Sequence, residues 1–345
     1  MLGNNSNDKV KVGIIGGSGY TGAELLRLLV GHPNFYVEYI TGHSTKGSEI
    51  SEAYPALGSQ YGGYKFEAFS LERAQECEIL FFCLPHGESQ DLISICKNIS
   101  YIVDLSSDFR HDDPQVYIDY YDQQHSDPDS LKQFVYGLPE LYRDEISKTS
   151  RVAAPGCYPT GAILAIKPFV EAGIIQTKKV IVNSLSGISG AGKKPTNLNT
   201  FVNASDNAQA YGLSKHRHTP EIQTHSGSTV IFTPHLIPAN RGILTTAYGE
   251  LKKEISQDEV NTILADFYKN EYFIHPQQSP PQLSSVIGSN FVFLHANVDK
   301  RTNTLIMMSA IDNLCKGSSG QALQCANIML GFQENLGLEM VGMCP

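Results

Sequence analysis

The sequence lacks the features that mark membrane proteins, disulfide-rich secreted domains and nucleic-acid-binding proteins. Its 7 cysteines are odd in number, widely spread and contain no CxxC pair, which favours a reducing compartment over a disulfide frame or a zinc site. No run of lysine and arginine occurs and the net charge is −9, so we expect no nucleic-acid partner. No apolar run reaches transmembrane length, and the polar start MLGNNSNDK lacks the apolar core of a signal peptide. We therefore predict a cytoplasmic protein that does not bind membranes.

The first part of the chain alternates between strand-like and helix-like segments. A buried strand over residues 10–15 leads through a glycine turn into a helix from about residue 20 to residue 30. The run CEILFFCLPHG is unbroken in its apolar part, as is typical of a parallel strand covered on both faces. This alternation predicts an α/β fold with a doubly wound parallel sheet over about 150 residues.

The pattern of predicted secondary structure changes from residue 178 onward. Several strand-like runs with period-two character follow one another, interrupted by one long helical segment, SQDEVNTILADFYKN. A last helix is predicted from about residue 317 to residue 332. The length of 345 residues favours about two domains, and the pattern predicts a second α+β domain with a mixed, largely antiparallel sheet.

A glycine pattern follows the first strand. It is written Gly17-x-Gly19-x-x-Gly22, with Gly16 in front, and it opens a helix, which is the context of a dinucleotide pyrophosphate site. A tight turn without a ligand is the alternative. The residues that we assign to cofactor binding here are Gly16, Ser18, Gly19, Tyr20, Thr21 and Gly22.

The end of the second strand reads TGHSTKG and carries no acidic residue. An NAD site usually has an acidic residue there for the ribose hydroxyls. Ser44 and Lys46 would instead suit a 2′-phosphate, so the sequence favours NADP as the cofactor. A polar solvent-facing loop is the alternative.

Cys157 lies where a helix is predicted to begin. Pro159 suits the first helical position, Gly173 suits the stop, and apolar residues between them recur at helical spacing. Unpaired backbone N–H groups at a helix N-terminus favour an anion, so a thiol there ionises more readily. The alternative is a small buried residue without a chemical role.

Three further segments carry candidate groups. SGISGAGKKPT (186–196) resembles a P-loop but has Lys194 where a magnesium-binding hydroxyl is needed, so we interpret it as a glycine-rich backbone nest or a flexible loop. In HRHTPEI, His216 and His218 lack a supporting ligand cluster, which favours acid/base chemistry over a metal site; ordinary surface or core histidines are the alternative.

In DLSSDFR, Arg110 lies at the end of a strand and is suited to bind an oxyanion or a phosphate, or to form a structural ion pair.

The segment VAAPGCYPTGAILAIKP (152–168) resembles the active-site signature of the N-acetyl-γ-glutamyl-phosphate reductase family. Other segments resemble that family in its own order along the chain: GIIGGSGYTGAELLRLL, CLPHG, DLSSDFR, YGLPEL, SGISGAGK, HRHTPEI, FTPHLIPANRGIL and DNLCKGSSGQALQ. The resemblance spans nearly the whole chain. It implies a Rossmann-type NADP-binding domain over residues 1–156, completed by a C-terminal helix within 313–345, and a catalytic and oligomerisation domain over residues 157–312.

Carried over position by position, the resemblance implies that Cys157 is the nucleophile and that His218 is the acid/base. Arg110 resembles the phosphate-binding arginine of the related aspartate-semialdehyde dehydrogenases. The substrate-binding candidates are Arg110, Tyr211, His216 and Arg241, the last for the substrate carboxylate. The residues expected along the cofactor, near its nicotinamide, are Ser189, Gly190, Ala191, Gly192 and Asn313.

The activity implied by the resemblance is NADPH-dependent reduction of N-acetyl-γ-glutamyl phosphate to N-acetylglutamate 5-semialdehyde, a step of arginine biosynthesis. Cys157 would displace phosphate and form a thioester, hydride would reduce it, and His218 would relay a proton as the aldehyde leaves. The resemblance also implies a small-molecule acyl-phosphate substrate and a homo-oligomer, a dimer or a tetramer, and we expect no metal.

Other functions remain open at this point. The nearest is the same reaction on aspartyl phosphate or an aminoadipyl phosphate. A P-loop kinase would need a hydroxyl in place of Lys194, and a cysteine hydrolase or acyltransferase would leave the glycine turn unexplained. A non-catalytic dinucleotide sensor would not need an ionised Cys157.

Overall fold

Six parallel strands form the first sheet of the protein, for which a computed structural model describes residues 8–343. Their order across the sheet is second, first, third, fourth, sixth, fifth, and each neighbouring pair is parallel. The predicted doubly wound sheet is therefore confirmed. The strands are β1 Val10–Ile15, β2 Phe35–Ile40, β3 Ile79–Phe82, β4 Tyr101–Asp104, β5 Val135–Tyr136 and β6 Arg151–Ala153.

Helices accompany these strands and cover the sheet. All four residues of β3 are buried, as expected for a strand whose two faces are both covered. Its side chains Leu80 and Phe82 join a core with Tyr117 of α6 and Phe109 of the loop after β4. The helices are α1 Tyr20–Leu29, α2 Ile50–Ala53, α3 Gly58–Tyr61, α4 Leu71–Gln75, α5 Ser89–Ile95, α6 Pro114–Tyr121 and α7 Pro139–Ile146, with 3₁₀ turns at Pro55–Leu57 and Pro128–Gln133.

The second sheet is mixed and mostly antiparallel, as the sequence predicts. Its helices are α8 Cys157–Glu171, α9 Phe201–Ala204, α10 Thr219–Ser226 and α11 Gln257–Phe267, and 3₁₀ turns lie at Ile188–Ala191 and Leu283–Ser285. Its strands are β7 Val180–Gly187, β8 Gln209–Ala210, β9 Val230–Ile237, β10 Ile243–Glu250, β11 Ile274–Pro276, β12 Val292–Asp299 and β13 Thr304–Ile311. The order is β11-β12-β13-β10-β7-β9-β8, in which only β7–β9 and β11–β12 are parallel neighbours.

Helix α8 is the central helix of this second sheet. It begins at Cys157, earlier than the predicted first helical residue Pro159, because Gly156 already has the extended conformation of an N-cap. The chain leaves the helix through Gly173, whose φ of +67° is the left-handed conformation that glycine permits. The helix packs on β10 and β13, so its position is set by the middle of the sheet.

The C-terminal part of the chain returns to the first sheet. A π-helical turn, Cys315–Ser319, leads into helix α12, Gly320–Met329, which packs on α7 and β4. The Cys325 thiol donates a hydrogen bond of 3.3 Å to the Gly137 carbonyl, and His32 Nε2 lies 2.9 Å from Asn327 Oδ1. These contacts attach the last helix to the strand-rich N-terminal half of the chain.

Two compact units result. The first runs to Pro155 and takes in Ser318–Glu339, whereas the second comprises Gly156–Gly317 with the short segment from Met340. The functional division predicted at residues 156 and 313 stays a prediction. Within residues 8–343, no helix has both the length and the apolar character needed to cross a membrane.

Candidate active site

The glycine turn between β1 and α1 is packed as tightly as its glycines predict. Gly16 has a φ of +88°, and a Cβ on it would lie 2.6 Å from the Cys83 carbonyl oxygen. A Cβ on Gly22 would lie 2.5 Å from Cα of Gly17, so any larger residue would push the helix away. A Cβ on Gly19, the N-cap of α1, would meet its nearest atom only at 3.9 Å. Protein packing explains the first two positions, whereas Gly19 leaves room for an anionic group before the helix N-terminus.

The end of β2 lies against this turn. Thr41 accepts a hydrogen bond from Gly16 N–H at its hydroxyl (2.9 Å) and one from Gly17 N–H at its carbonyl (2.8 Å). Ser44 and Lys46 follow in an exposed turn. The residues predicted for a 2′-phosphate thus lie on the loop that contacts the glycine turn.

Other predicted cofactor residues lie on the same turn. The Tyr54 hydroxyl donates to the Ser18 carbonyl (2.8 Å), and the Ser319 hydroxyl donates to the Thr21 carbonyl (2.8 Å). Tyr20 is the first residue of α1 and its side chain is exposed. Residues 16–22 therefore form one turn that is held by hydrogen bonds with Thr41, Tyr54 and Ser319. Such a turn fits a dinucleotide pyrophosphate.

Arg110 lies beyond β4, at the carboxyl edge of the first sheet. Its Nε donates to the Ala154 carbonyl at 2.8 Å and its Nη2 to the Leu105 carbonyl at 3.2 Å. Ala154 follows β6 and Leu105 follows β4, which are neighbouring strands. The guanidinium is therefore held where two strands end, and its role toward phosphate stays a prediction.

Two buried carboxylates organise the loop that carries Arg110. Asp104, fully buried, accepts hydrogen bonds from the N–H and hydroxyl of Ser106. Burial, together with the nearby Asp108 charge, raises the pKa of Asp104 to about 7. Burial also opposes the charge of Asp108, but hydrogen bonds from His86, Gly87 and Ser89 outweigh it and lower the pKa of that carboxyl. Asp108 thus ties the loop after β3 to the loop after β4.

Cys157 is the first residue of α8 and is partly exposed. The N–H of Gly156, directly before it, donates a hydrogen bond of 2.6 Å to Oε1 of the fully buried Glu221. The Gly156 carbonyl accepts from the N–H and the hydroxyl of Thr160. Gly156 is therefore held through both its N–H and its carbonyl, and the sulfur of Cys157 lies where the helix N-terminus stabilises negative charge.

His218 packs directly on this peptide. A Cβ on Gly156 would lie 2.5 Å from His218 Nε2, so the imidazole occupies the space that a side chain would fill. His218 is buried and forms the N-cap of α10. The structure thus brings an imidazole nitrogen to the residue next to Cys157, the arrangement expected for an acid/base group beside a nucleophile.

His216 has a different environment from His218. Its Nδ1 accepts a hydrogen bond of 3.2 Å from the His218 backbone N–H, so the ring proton belongs on Nε2. Burial, assisted by the charge of Arg217, lowers the pKa of His216 to about 4. His216 is therefore neutral near pH 7.

An aromatic cluster surrounds the two histidines. The Tyr158 ring meets the rings of His216 and His218 edge-on, at centroid distances of 5.6 and 5.9 Å. The Tyr211 hydroxyl donates to the Tyr158 hydroxyl at 2.9 Å. The second unit thus groups Tyr211 and His216 with His218.

The glycine-rich nest after β7, residues 189–192, is held at one end by hydrogen bonds of Asn313. Asn313, buried, donates to the Ser189 hydroxyl (3.0 Å) and accepts from the Gly242 N–H (2.7 Å). Gly190, Ala191 and Gly192 are exposed, and Gly192 has a φ of +80°. Two of the residues predicted to lie along the cofactor, Ser189 and Asn313, are therefore in direct contact.

Arg241 forms an ion pair with a residue that the sequence analysis does not single out. Its Nη2 lies 3.0 Å from the carboxylate of Asp312, which is fully buried. A Cβ on Gly317, in the turn that follows, would lie 2.9 Å from Cβ of Cys157. The substrate-carboxylate candidate is thus joined through this turn to the nucleophile candidate.

Glu221 and Asp312 are the site residues that the sequence analysis missed. Glu221 follows His218 by one helical turn, so helical spacing could have placed it on the same side of α10. Asp312 has no comparable signal, because Arg241 is 71 positions away and is brought beside it by the antiparallel pairing of β10 with β13. Among residues 8–343, no group of three or more His, Cys, Asp or Glu side chains could hold a metal ion.

Comparison with known families matches both halves of the chain. Residues 11–149 match the family model described as semialdehyde dehydrogenase, NAD binding domain, and residues 157–313 match semialdehyde dehydrogenase, dimerisation domain. The N-acetyl-gamma-glutamyl-phosphate reductase of Thermoanaerobacter sp. (strain X514) is 45% identical, over 97% of this chain and 100% of the relative. That of Lachnoclostridium phytofermentans is 41% identical, again over 97% and 100%.

Solved structures share the fold at low identity. Aspartate semialdehyde dehydrogenase II of Vibrio cholerae, complexed with ASA, has a TM-score of 0.70 and 16% identity, covering 94% of this chain and 98% of that chain. Aspartate semialdehyde dehydrogenase of Candida albicans with NADP has a TM-score of 0.68 and 16% identity, covering 95% and 99%.

Proposed function

Because the chain belongs to the N-acetyl-γ-glutamyl-phosphate reductase family, we propose that it reduces N-acetyl-γ-glutamyl phosphate to N-acetylglutamate 5-semialdehyde and releases phosphate. The family is one of oxidoreductases that act on small molecules and use a nicotinamide cofactor. The observation that carries the proposal is Cys157 at the start of α8, with Glu221 and His218 both packed on the preceding Gly156.

The first step forms a bond between sulfur and carbon. The Cys157 thiolate attacks the acyl carbon of the substrate, the bond from that carbon to the phosphate oxygen breaks, and phosphate leaves with its electron pair. Backbone N–H groups at the start of α8 stabilise the thiolate and are placed to stabilise the developing oxyanion. The product of this step is a thioester on Cys157.

The second step converts the thioester into an aldehyde. When bound, a reduced nicotinamide dinucleotide would supply a hydride for the acyl carbon. His218 gives a proton to the oxygen of the thiohemiacetal and takes it back as the aldehyde carbonyl re-forms; the carbon–sulfur bond breaks with its electron pair on sulfur, and Cys157 regains its thiolate. Neutral His216 accepts from the His218 backbone and so fixes the start of α10, rather than exchanging a proton itself.

The residues of the first unit fit the cofactor. The open space at Gly19 and the braced turn from Gly16 to Gly22 suit a pyrophosphate. We propose NADP as the cofactor, with Ser44 and Lys46 at the 2′-phosphate. Glu67 is an acidic residue that pairs with Thr41 in a β-bridge, but its carboxylate forms an ion pair with Arg73 at 3.4 Å. Glu67 therefore does not replace the acidic residue that an NAD site usually has, which supports NADP.

Lys46→Glu tests the choice of cofactor. The KM for NADP should rise at least about tenfold while the KM for NAD changes little, since the variant loses one charge-assisted contact with a phosphate. Lys97→Glu, at a side chain that is 73% exposed on the same unit, is the control. Equal use of NADP and NAD by the unmodified protein would contradict the assignment.

The remaining candidates have roles on the substrate side. We propose that Arg110 binds the transferring phosphate, since its guanidinium is fixed at the sheet edge where ligands of this fold bind. We propose that Tyr211, whose hydroxyl donates to Tyr158 next to Cys157, contacts the acyl chain. We place the cofactor-binding function in residues 1–156 with a C-terminal segment from 313–345, and catalysis in residues 157–312, all acting in the cytoplasm.

We infer that the protein is a homo-oligomer, a dimer or a tetramer. Helices α8, α10 and α11 pack on one side of the second sheet. The residues that alternate toward the other side are polar and apolar in turn, and the apolar ones are only half-buried or exposed, as at an interface. These apolar residues include Ile181, Leu185, Ile231, Leu244, Tyr248, Ile306 and Met308. The description of residues 157–313 as a dimerisation domain supports this inference.

The proposed chemistry is tested by offering acyl phosphate without NADPH and measuring intact protein mass. The unmodified protein and His218→Asn should each gain one acyl group on the peptide that contains Cys157, and Cys157→Ser should gain none, because its hydroxyl stays protonated. Turnover of His218→Asn should fall by about 10²–10⁴-fold. An adduct on another cysteine, or phosphate release without an adduct, would refute the mechanism.

Substrate choice is tested in the oxidative direction with NADP and phosphate. The semialdehyde of N-acetylglutamate should have the highest kcat/KM when compared with those of aspartate and N-acetylaminoadipate. A higher value for either of the others would transfer the proposal to that acyl phosphate.

A further inference from the structure

Asp312 is a buried carboxylate of the second unit that accepts several hydrogen bonds and that the reaction does not use directly. It is fully buried at the end of β13 and accepts hydrogen bonds from the N–H groups of Gly288 (2.6 Å) and Leu314 (2.8 Å). Its Oδ1 also accepts from Nε (3.3 Å) and Nη2 (3.1 Å) of Arg241. A buried charge is tolerated only when it is paired in this way, so the carboxylate holds these groups in one arrangement.

Two of these connections lead to the candidate active site. The Asp312 carbonyl accepts from the Gly317 N–H (2.9 Å), and Gly317 is the residue that packs on Cys157. On the other side, the backbone next to Arg241 supports the glycine-rich nest, because the Asn240 carbonyl accepts from the Ser189 N–H at 3.1 Å. Arg241 therefore lies between the nest and the turn under the nucleophile.

The guanidinium is both oriented and reachable. Nε and Nη2 of Arg241 both donate to the Asp312 carboxylate, which fixes the plane of the guanidinium. The Arg241 side chain keeps 18% of its surface exposed within this unit. A guanidinium of fixed plane is the group best suited to bind a carboxylate, because its parallel donors match the two carboxylate oxygens. The substrate of the proposed reaction carries one carboxylate besides the acyl phosphate.

We propose that Asp312 is a positioning residue that orients Arg241 to bind this carboxylate, so that the ion pair selects acyl phosphates and aldehydes that carry it. The inference rests on the proposed function, because it names the part of that substrate which Arg241 recognises. It predicts that weakening the pair harms recognition of the carboxylate much more than it harms the chemistry at Cys157.

The test uses two aldehydes in the oxidative direction with NADP and phosphate. One is N-acetylglutamate 5-semialdehyde, and the other is 4-acetamidobutanal, which is the same molecule without the carboxylate. For Asp312→Asn, the KM for the first aldehyde should rise about tenfold or more with kcat changed less than about threefold, whereas kcat/KM for the second should stay near that of the unmodified protein.

Arg241→Lys is the second variant and keeps the buried carboxylate paired. It retains the charge but loses the planar fork, so it should show the same selective rise in KM. Equal losses of kcat/KM for both aldehydes in these variants would show that Asp312 only shapes the turn at Cys157, and would overturn the inference. If the unmodified protein does not oxidise N-acetylglutamate 5-semialdehyde at all, the proposed function fails instead.

Discussion

At the scale of single residues, the candidate active site depends on glycine at position 156. Gly156 has no Cβ, and the space that a Cβ would occupy is taken by Nε2 of His218. The same glycine gives its N–H to Glu221. One residue therefore sets the distance of both groups from the neighbouring Cys157.

Gly156→Ala should lower kcat by about 100-fold or more, because the added methyl group would lie 2.5 Å from His218 Nε2 and must displace the imidazole. The comparison is with Gly31→Ala, where nothing lies within 4 Å of the added atom. Steady-state kinetics with a Tm for each variant is the measurement. Unchanged kcat in the Gly156 variant would show that the position of His218 does not matter.

Glu221→Gln should lower kcat about tenfold at nearly constant KM. The amide oxygen can still accept from Gly156 N–H, but a neutral acceptor holds that peptide less firmly than a carboxylate does. Glu171→Gln, at an exposed position near the end of α8, provides the control. A kcat equal to that of the unmodified protein would reduce Glu221 to a packing role.

At the scale of elements, strand β4 ends in a titratable group, the Asp104 carboxyl, whose pKa differs widely between the folded and the unfolded state. The Asp104 carboxyl has a pKa of about 7 in the folded protein against an ordinary value of 3.8. Between these values the folded state binds more protons than the unfolded chain, so this group makes the folded state less stable as pH rises from about 4 to 7. Below that window both states are protonated and the effect vanishes.

Asp104→Asn should remove this pH dependence. The asparagine oxygen can accept from Ser106 and carries no charge. The free energy of unfolding of the variant, relative to the unmodified protein, should therefore increase by about 1 kcal/mol or more between pH 4.5 and pH 7.5. Urea titrations at these two pH values measure it, and a constant difference would mean that Asp104 is ionised throughout.

At the scale of the whole molecule, the second sheet has one side covered by helices and another side whose apolar side chains are not buried within its own unit. Exposing that much apolar surface is unfavourable, so self-association through the sheet is the expected outcome. On this side Ile181 and Ile231 are paired neighbours, and both are exposed.

Ile231→Lys should shift the protein toward monomers, because a charge would be buried in the interface. The mass measured by light scattering should fall, while Ile95→Lys, an exposed position on α5 of the first unit, should leave it unchanged. The same mass for both variants would exclude this side of the sheet as the interface.

The sequence by itself determined the features whose causes are local. The turn from Gly16 to Gly22 and the start of α8 near Cys157 depend on glycine placement, helix capping and apolar period, which act over a few residues. The doubly wound sheet followed from the alternation of such segments. The strands β5, β6, β8 and β11 were not predicted, because two or three residues carry too little periodic signal. Helix α10 was not predicted either, because its segment TPEIQTHS has too few apolar residues to show a helical period.

The tertiary structure decided which distant residues meet. Glu221 reaches Gly156 across 65 positions and Asp312 reaches Arg241 across 71, and no spacing rule relates such pairs. Each contact exists because strands and helices pack in one register, which brings two otherwise ordinary polar residues to a buried place where each needs a partner. Cys157 could be found from its own neighbours in the chain, whereas the groups that hold it in place depend on the packing of the whole second unit.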